Sequence, residues 1–312
     1  MGQILIRHSR LTTIRALLLA ALVVVGMTSP AAADIITYTN FLEVDQYNTS
    51  TGTVSRLANG FPSLGGITQD QAGNFYVAVF NTGVVDKITP AGVVTPYTPA
   101  LGHGGLDSVA FDGQGNLYVS TQDGTIVKVT PGGTLSNAVT GLSQPYGMAF
   151  GFSGSDVFLF AANNGNGTVT ATNLTTSTTT TVASGLNGPA DLKFDSSGNL
   201  FVSSVNAGRV YEISNEGVLS TFASGFSQPL GLAFDSQGDL LVAQNGNGNL
   251  SSVTPSGTVS LVKSGLGNQF LTDGYVAPTA IPEPSSIGLF ALASVVVVLY
   301  RRRQCRRPCT LA

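Results

Sequence analysis

The 312-residue chain has no tryptophan, two cysteines, two histidines and three methionines, and only 10% of its residues are charged. Globular proteins average about 25% charged residues, so the shortage needs an architecture or a location that explains it. Both cysteines, Cys305 and Cys309, sit at the extreme C-terminal end. The rest of the chain can therefore hold no disulfide, thiol nucleophile or Cys-ligated zinc. Beyond residue 33 the only histidine is His103. No Gly-x-Ser-x-Gly nucleophile elbow and no phosphate-binding loop occurs anywhere. Acids are missing from both ends: residues 1–33 and 285–312 carry arginines alone. All 17 Asp and Glu lie between them, against Arg56, Lys87, Lys128, Lys193, Arg209 and Lys263. An acidic middle with scattered bases repels a phosphate backbone, which excludes nucleic acid as a partner.

The two ends read as addresses. Arg7, Arg10 and Arg15 precede the apolar run Ala16–Met27 and then Ala31-Ala32-Ala33, the layout of a signal peptide over residues 1–33 that signal peptidase would remove. The run is shorter than the ~20 residues a membrane-spanning helix needs, which argues against a retained anchor. At the other end, over residues 281–312, Pro282-Glu283-Pro284 is followed by the apolar stretch Ile287–Tyr300 and by Arg301-Arg302-Arg303. A basic cluster beyond an apolar segment holds that end in the cytoplasm, as a stop-transfer segment does. The order Pro-Glu-Pro, apolar helix, arginine cluster resembles the PEP-CTERM sorting tail of Gram-negative bacteria, although here the chain continues as Gln304–Ala312. The resemblance implies transient inner-membrane anchoring through a transmembrane helix, removal of the tail by an exosortase, and an association with exopolysaccharide at the cell surface.

Between the ends, one pattern recurs. An apolar strand ends in Phe-Asp, two small residues and Gly-Asn follow, and a second apolar strand comes next. It is read at Val109-Ala110-Phe111-Asp112 with Gly115-Asn116-Leu117, at Leu192-Lys193-Phe194-Asp195 with Gly198-Asn199-Leu200, and at Leu232-Ala233-Phe234-Asp235 with Gly238-Asp239-Leu240. Looser copies surround Asp70 and Gly154. The turn glycines 73, 115, 154, 198 and 238 are spaced by 42, 39, 44 and 40 residues. Two more short strands follow each pair, joined by turns such as Thr130-Pro131-Gly132-Gly133. Four strands per ~41 residues with no helical period is one propeller blade. Residues 34–280 then make an all-β, six-bladed propeller: five complete repeats plus one blade closed by both chain ends. Phe41–Tyr47 and Thr53–Ala58 are expected as the outer strands of that blade, with inner strands from Phe270–Ala277. An open β solenoid would need shorter repeats. The threonine-rich Thr168–Val182 reads as an outer hairpin, or alternatively as a glycosylated patch. The repeat resembles NHL-type six-bladed propellers, a group that includes gluconolactonase-type hydrolases and virginiamycin B lyase.

Asp70, Asp112, Asp195 and Asp235 each open a four-residue turn, where a carboxylate caps backbone N–H groups, so the repeated aspartates are expected to be turn residues. The opposite end of the channel gathers the loops that could carry chemistry. Asp107, Asp191, Asn206 and Asn245 are candidate ligands for Ca²⁺, which takes hard oxygen donors; the gluconolactonase resemblance implies such a site. His103 could act as a general base oriented by Asp107. Tyr146, Asn164 and Asn81 are candidate ligand-binding residues. The lyase-type resemblance implies more than one histidine at the mouth, which this chain does not supply. The expectation is a monomeric, exported, non-catalytic binding or matrix protein; the alternative is a divalent-metal-dependent lactonase-like hydrolase.

Overall fold

The computed structural model describes residues 35–267 and 270–272. The expected signal peptide and C-terminal apolar helix, and with them Pro282, Glu283, Pro284 and Arg301 to Arg303, lie outside the described residues. Those described form six four-stranded antiparallel sheets and no helix. Blade 1 takes β1 (Ile35–Asn40), β2 (Glu43–Asn48) and β3 (Val54–Asn59) from the start of the body. Blade 2 is β4 (Leu64–Gln69), β5 (Phe75–Val79), β6 (Val84–Ile88) and β7 (Val94–Pro96). Blade 3 is β8 (Leu106–Phe111), β9 (Leu117–Thr121), β10 (Ile126–Val129) and β11 (Leu135–Val139). Blade 4 is β12 (Pro145–Ser153), β13 (Asp156–Asn163), β14 (Thr168–Asn173) and β15 (Thr178–Ala183). Blade 5 is β16 (Pro189–Phe194), β17 (Leu200–Ser204), β18 (Arg209–Ile213) and β19 (Leu219–Ser224). Blade 6 is β20 (Pro229–Phe234), β21 (Leu240–Gln244), β22 (Asn249–Val253) and β23 (Val259–Lys263). Finally β24 (Phe270–Thr272) pairs with β1 and completes blade 1.

The closing blade differs from the sequence expectation. Its N-terminal part supplies three strands, and only the innermost comes from the far end of the body. The extra strand is β1, Ile-Ile-Thr-Tyr-Thr-Asn, which buries Ile36 and Tyr38 and pairs with both β2 and β24. It carries no Phe-Asp or Gly-Asn signature, so the repeat pattern does not reach it. The looser copy at Gly154 also has a physical reason. There the four-residue Asp turn is replaced by a two-residue hairpin, with Ser153 opposite Asp156 and Gly154 at a φ of 57°. A two-residue loop needs positive φ, and glycine supplies it without a steric penalty.

Six apolar clusters hold the ring, one at each interface between neighbouring blades. Alternating strand residues feed them: Val77, Val119 and Val242 are fully buried on the second strands. At four interfaces an aromatic ring on the second strand of one blade packs edge-to-face with a Phe ring on the first strand of the next. The pairs are Tyr76–Phe111, Tyr118–Phe150, Phe160–Phe194 and Phe201–Phe234, with centroids 4.9, 4.9, 5.0 and 5.6 Å apart. Edge-to-face pairs of this kind add about 0.5–1.5 kcal/mol to the burial itself. At the two interfaces of blade 1 the matching second-strand positions are Leu241 and Thr37, and the ring pair lapses. The threonine stretch forms the outer hairpin β14–β15, with Thr172 and Thr179 hydroxyls 2.9 Å apart.

The innermost strands approach so closely that side chains become impossible at some positions. A Cβ on Gly147 of β12 would lie 2.5 Å from the Ala190 carbonyl oxygen and 2.6 Å from the Asp191 Cα on β16. Gly104, by contrast, has ordinary φ and open space around it. Gly147→Ala should therefore cost ~1–3 kcal/mol by overpacking the seam, whereas Gly104→Ala should stay within about 0.5 kcal/mol of the parent. Urea unfolding of the two variants checks this, and equal midpoints would overturn the close-approach account.

Candidate functional site

The two faces of the ring are built differently. On one, which we call the turn face, each first strand passes to the second through a capped turn. Asp112 Oδ1 accepts from the backbone N–H of Gln114 and Asn116 at 2.8 and 2.9 Å, and Oδ2 accepts from the Asn116 side chain at 2.7 Å. Asp70, Asp195 and Asp235 cap their turns the same way. Their carboxylates are spent on backbone N–H groups, as the turn reading expected.

The other face is the channel mouth. Loops leaving the second strands there hydrogen-bond to loops entering the first strands of the same blade. Gln122 N donates to Gly105 O, Asn164 N to Gln144 O, Asn206 N to Asn187 O and Asn245 N to Gln228 O. Each complete blade also has a register shift at the mouth end of its first strand, as between Leu106 and Ser108 and between Pro189 and Leu192. Such bulges leave a residue unpaired and re-aim its side chain. Asp107 is one of these bulge residues, and Tyr146 occupies the equivalent place in the next blade.

The candidate residues divide sharply. Asn81, Asn206 and Asn245 are exposed on the mouth loops. Asn164 is half-buried and its side-chain amide donates to the Pro189 carbonyl of the next blade at 3.2 Å. Tyr146 is half-buried, its phenol pushed up by burial and by the Asp107 charge. Asp191, 7% exposed, is tied into the frame. Its Oδ1 accepts from Leu192 N and its Oδ2 from Leu232 N on the neighbouring blade, both at 2.9 Å. Its own N–H donates to Ser203 Oγ at 2.9 Å, and that hydroxyl donates to Leu230 O across the same interface at 2.6 Å. Ser120 makes the equivalent bridge from Ser108 N to Tyr146 O. Among the described residues no three His, Cys, Asp or Glu side chains come together as ligands would. Of the expected Ca²⁺ set, Asp191 has both carboxylate oxygens on backbone donors, Asp107 is sunk in its strand with Oδ2 unpartnered, and Asn206 and Asn245 are exposed on the loops, so the set offers few free oxygens to an ion that takes 6–8 oxygen ligands.

His103 has a carboxylate partner, but it is not Asp107. Its Nδ1 lies 2.7 Å from Asp123 Oδ2, in the loop after β9. Asp107 cannot reach out to it because it is sunk in the first strand, 4% exposed. Asp123 is held in place by the Thr121 hydroxyl at 2.6 Å and the Thr125 N–H at 3.1 Å. Burial raises its pKa, but the hydrogen bonds from Thr121, His103 and Thr125 and the His103 charge outweigh that and bring it down to about 2. Nothing in the sequence singles out Asp123, because its pairing is a contact between two loops of one blade that no spacing rule reveals.

Residues 280–304 match the PEP-CTERM protein-sorting motif, and residues 108–129 match the N-terminal part of the strictosidine synthase-like family. No curated protein matches the sequence. Among solved structures, virginiamycin B lyase from Staphylococcus aureus is similar at 17% identity and a TM-score of 0.52, over 64% of this chain and 69% of its own. A nidogen/laminin complex contains a chain similar at 12% identity and a TM-score of 0.66, over 77% of this chain and 99% of its own. At these identities the likeness is one of fold. The sorting motif means that the protein is exported, held in the membrane and then placed at the surface or outside the cell.

Asp107 is the electrostatic oddity of the mouth. Its Oδ2 is buried with no hydrogen-bond partner. Burial pushes its pKa up to about 7, against a smaller lowering by the Gln122 side chain. The unfolded value is about 3.9, so between roughly pH 4 and 7 the folded chain keeps a proton that the unfolded chain has lost. Stability contributed by this group therefore falls as pH rises through that window. Asp107→Asn removes the ionisation, so its stability relative to the parent should climb between pH 4 and 8, by ~4 kcal/mol at most at ~1.4 kcal/mol per pKa unit. Urea midpoints of both proteins across this range test it; parallel pH profiles would show that Asp107 ionises normally.

Proposed function

We propose that the protein is a non-catalytic binding or matrix module of the cell surface, delivered by its sorting motif and associated there with exopolysaccharide. The observation that carries this reading is the state of Asp191. Asp191, one of the carboxylates expected to hold a metal, has its two oxygens on backbone N–H groups of two neighbouring blades. The mouth loops are polar, with exposed Asn81, Asn206 and Asn245 and the surface His103–Asp123 pair. Amides both donate and accept, as binding of sugar hydroxyls requires, and the half-buried Tyr146 adds an aromatic ring at the mouth end of blade 4. An NHL-type propeller is a common scaffold for unrelated functions, so the site and not the fold decides between them.

The competing reading is a divalent-metal-dependent lactonase-like hydrolase at the same mouth. The presence of a lyase among the structures of this fold makes it worth testing directly. Thermal unfolding of residues 34–280 should show no shift between EDTA and millimolar Ca²⁺ or Mg²⁺. Retention on immobilised exopolysaccharide should fall several-fold in an Asn81→Ala, Asn206→Ala double variant. A cation at 100 times its dissociation constant would add ~2.7 kcal/mol; a Ca²⁺ shift of that size, lost in Asn206→Ala, would replace this proposal with the hydrolase.

A further inference from the structure

The direction of the strands fixes where the chain enters and leaves the ring. In every complete blade the first strand runs from the mouth to the turn face and the second returns. β24 is the first strand of blade 1 and β1 is the second, with Phe270 opposite Thr39 and Thr272 opposite Thr37. Thr39 lies toward the mouth, where its hydroxyl donates to Gly65 O at the mouth end of β4. Ile35 lies at the other end. It lines a cavity of about 720 Å³ together with Asp195, Ser197, Asp235 and Gln237, all residues of the turn face. The chain therefore enters the ring at Ile35 and leaves it after Thr272 on one and the same face, the turn face.

The sorting motif starts at residue 280 and its apolar stretch at Ile287. Only residues 273–286 separate the ring from the segment that sits in the membrane. A chain of that length has a root-mean-square span of about 20 Å as a coil. β24 is an innermost strand, so to bring the mouth against the bilayer the connection would have to cross a blade and climb its height. Three inter-strand spacings of ~4.8 Å and a six-residue strand at ~3.3 Å per residue make that route about 35 Å. We propose that, while the tail is in the membrane, the propeller is held with its turn face toward the bilayer and its mouth pointing away. The mouth loops bearing Asn81, Tyr146, Asn206 and the His103–Asp123 pair are then the surface presented to partners. The cavity edged by Ile35 and Phe234 faces the lipid. This inference depends on the sorting motif and the strand directions, and not on what the mouth binds.

The cysteine-free body makes the test direct. The full chain, carrying Cys305→Ser and Cys309→Ser and an intact tail, is reconstituted into phosphatidylethanolamine–phosphatidylglycerol vesicles that contain an energy-transfer acceptor lipid. Donor dyes are placed one at a time at Gln237→Cys and Ser196→Cys on the turn face, and at Asn81→Cys and Asn206→Cys on the mouth; all four positions are exposed. Transfer to the bilayer should be clearly greater from both turn-face dyes than from both mouth dyes. Equal transfer from the two faces, or greater transfer from the mouth, would overturn the proposed orientation. Two sites per face, on different blades, keep the result independent of any one variant that fails to fold.

Discussion

The rest of the structure depends on the burial between neighbouring blades. A four-stranded twisted sheet has two faces to cover and cannot cover either alone; each becomes stable only against the next blade. That requirement explains the composition. With most strand residues buried on both sides, Val, Leu, Phe and Tyr fill positions that charged residues occupy in an open sheet, and charged residues are few. It also explains why the innermost strands carry glycine opposite bulky neighbours, as Gly147 does against Asp191. The channel can be narrow only where one partner gives up its side chain. Closure is the remaining cost, and the body meets it by pairing β24 from its far end with β1 from its beginning.

The same seam decides what the mouth can offer. Hydroxyls on the second strands, at Ser120 and Ser203, bridge first-strand N–H groups to carbonyls of the next blade. Asp191 joins this lattice, so a carboxylate that looks like a ligand in isolation is part of the frame. Asp107 is left as a buried carboxyl with an unpartnered oxygen, and the His103–Asp123 pair stands at the loop beside it. The polar equipment of the mouth is thus one sunken acid, one surface His–Asp pair and a set of amides.

Much of the fold was legible because its signals are local. A Phe-Asp and Gly-Asn signature marks a capped turn through hydrogen bonds within five residues, and its recurrence counts the blades. The closing blade was legible in its outer strands and its closure by both chain ends, but β1 was missed as an inner strand because it carries no such turn; it lies between β2 and β24 from the far end of the body. The site was less legible for the same reason. Asp191 bonds to Leu232 on the next blade and His103 to a loop twenty residues on, and neither contact has a spacing rule. The aspartates at 70, 112, 195 and 235 were read correctly because the residues that satisfy them are their own neighbours.

The way blade 1 is closed also determines how the molecule bears load. A pull on the chain beyond Thr272 acts along the axis of β24, parallel to its neighbour β1. The hydrogen bonds between the two strands lie across that direction, so they are strained together and not opened one after another. The strand that completes the ring is thereby also its mechanical fastening. Tension from the tail would be shared by the whole β24–β1 ladder and passed into three strands that belong to the opposite end of the body.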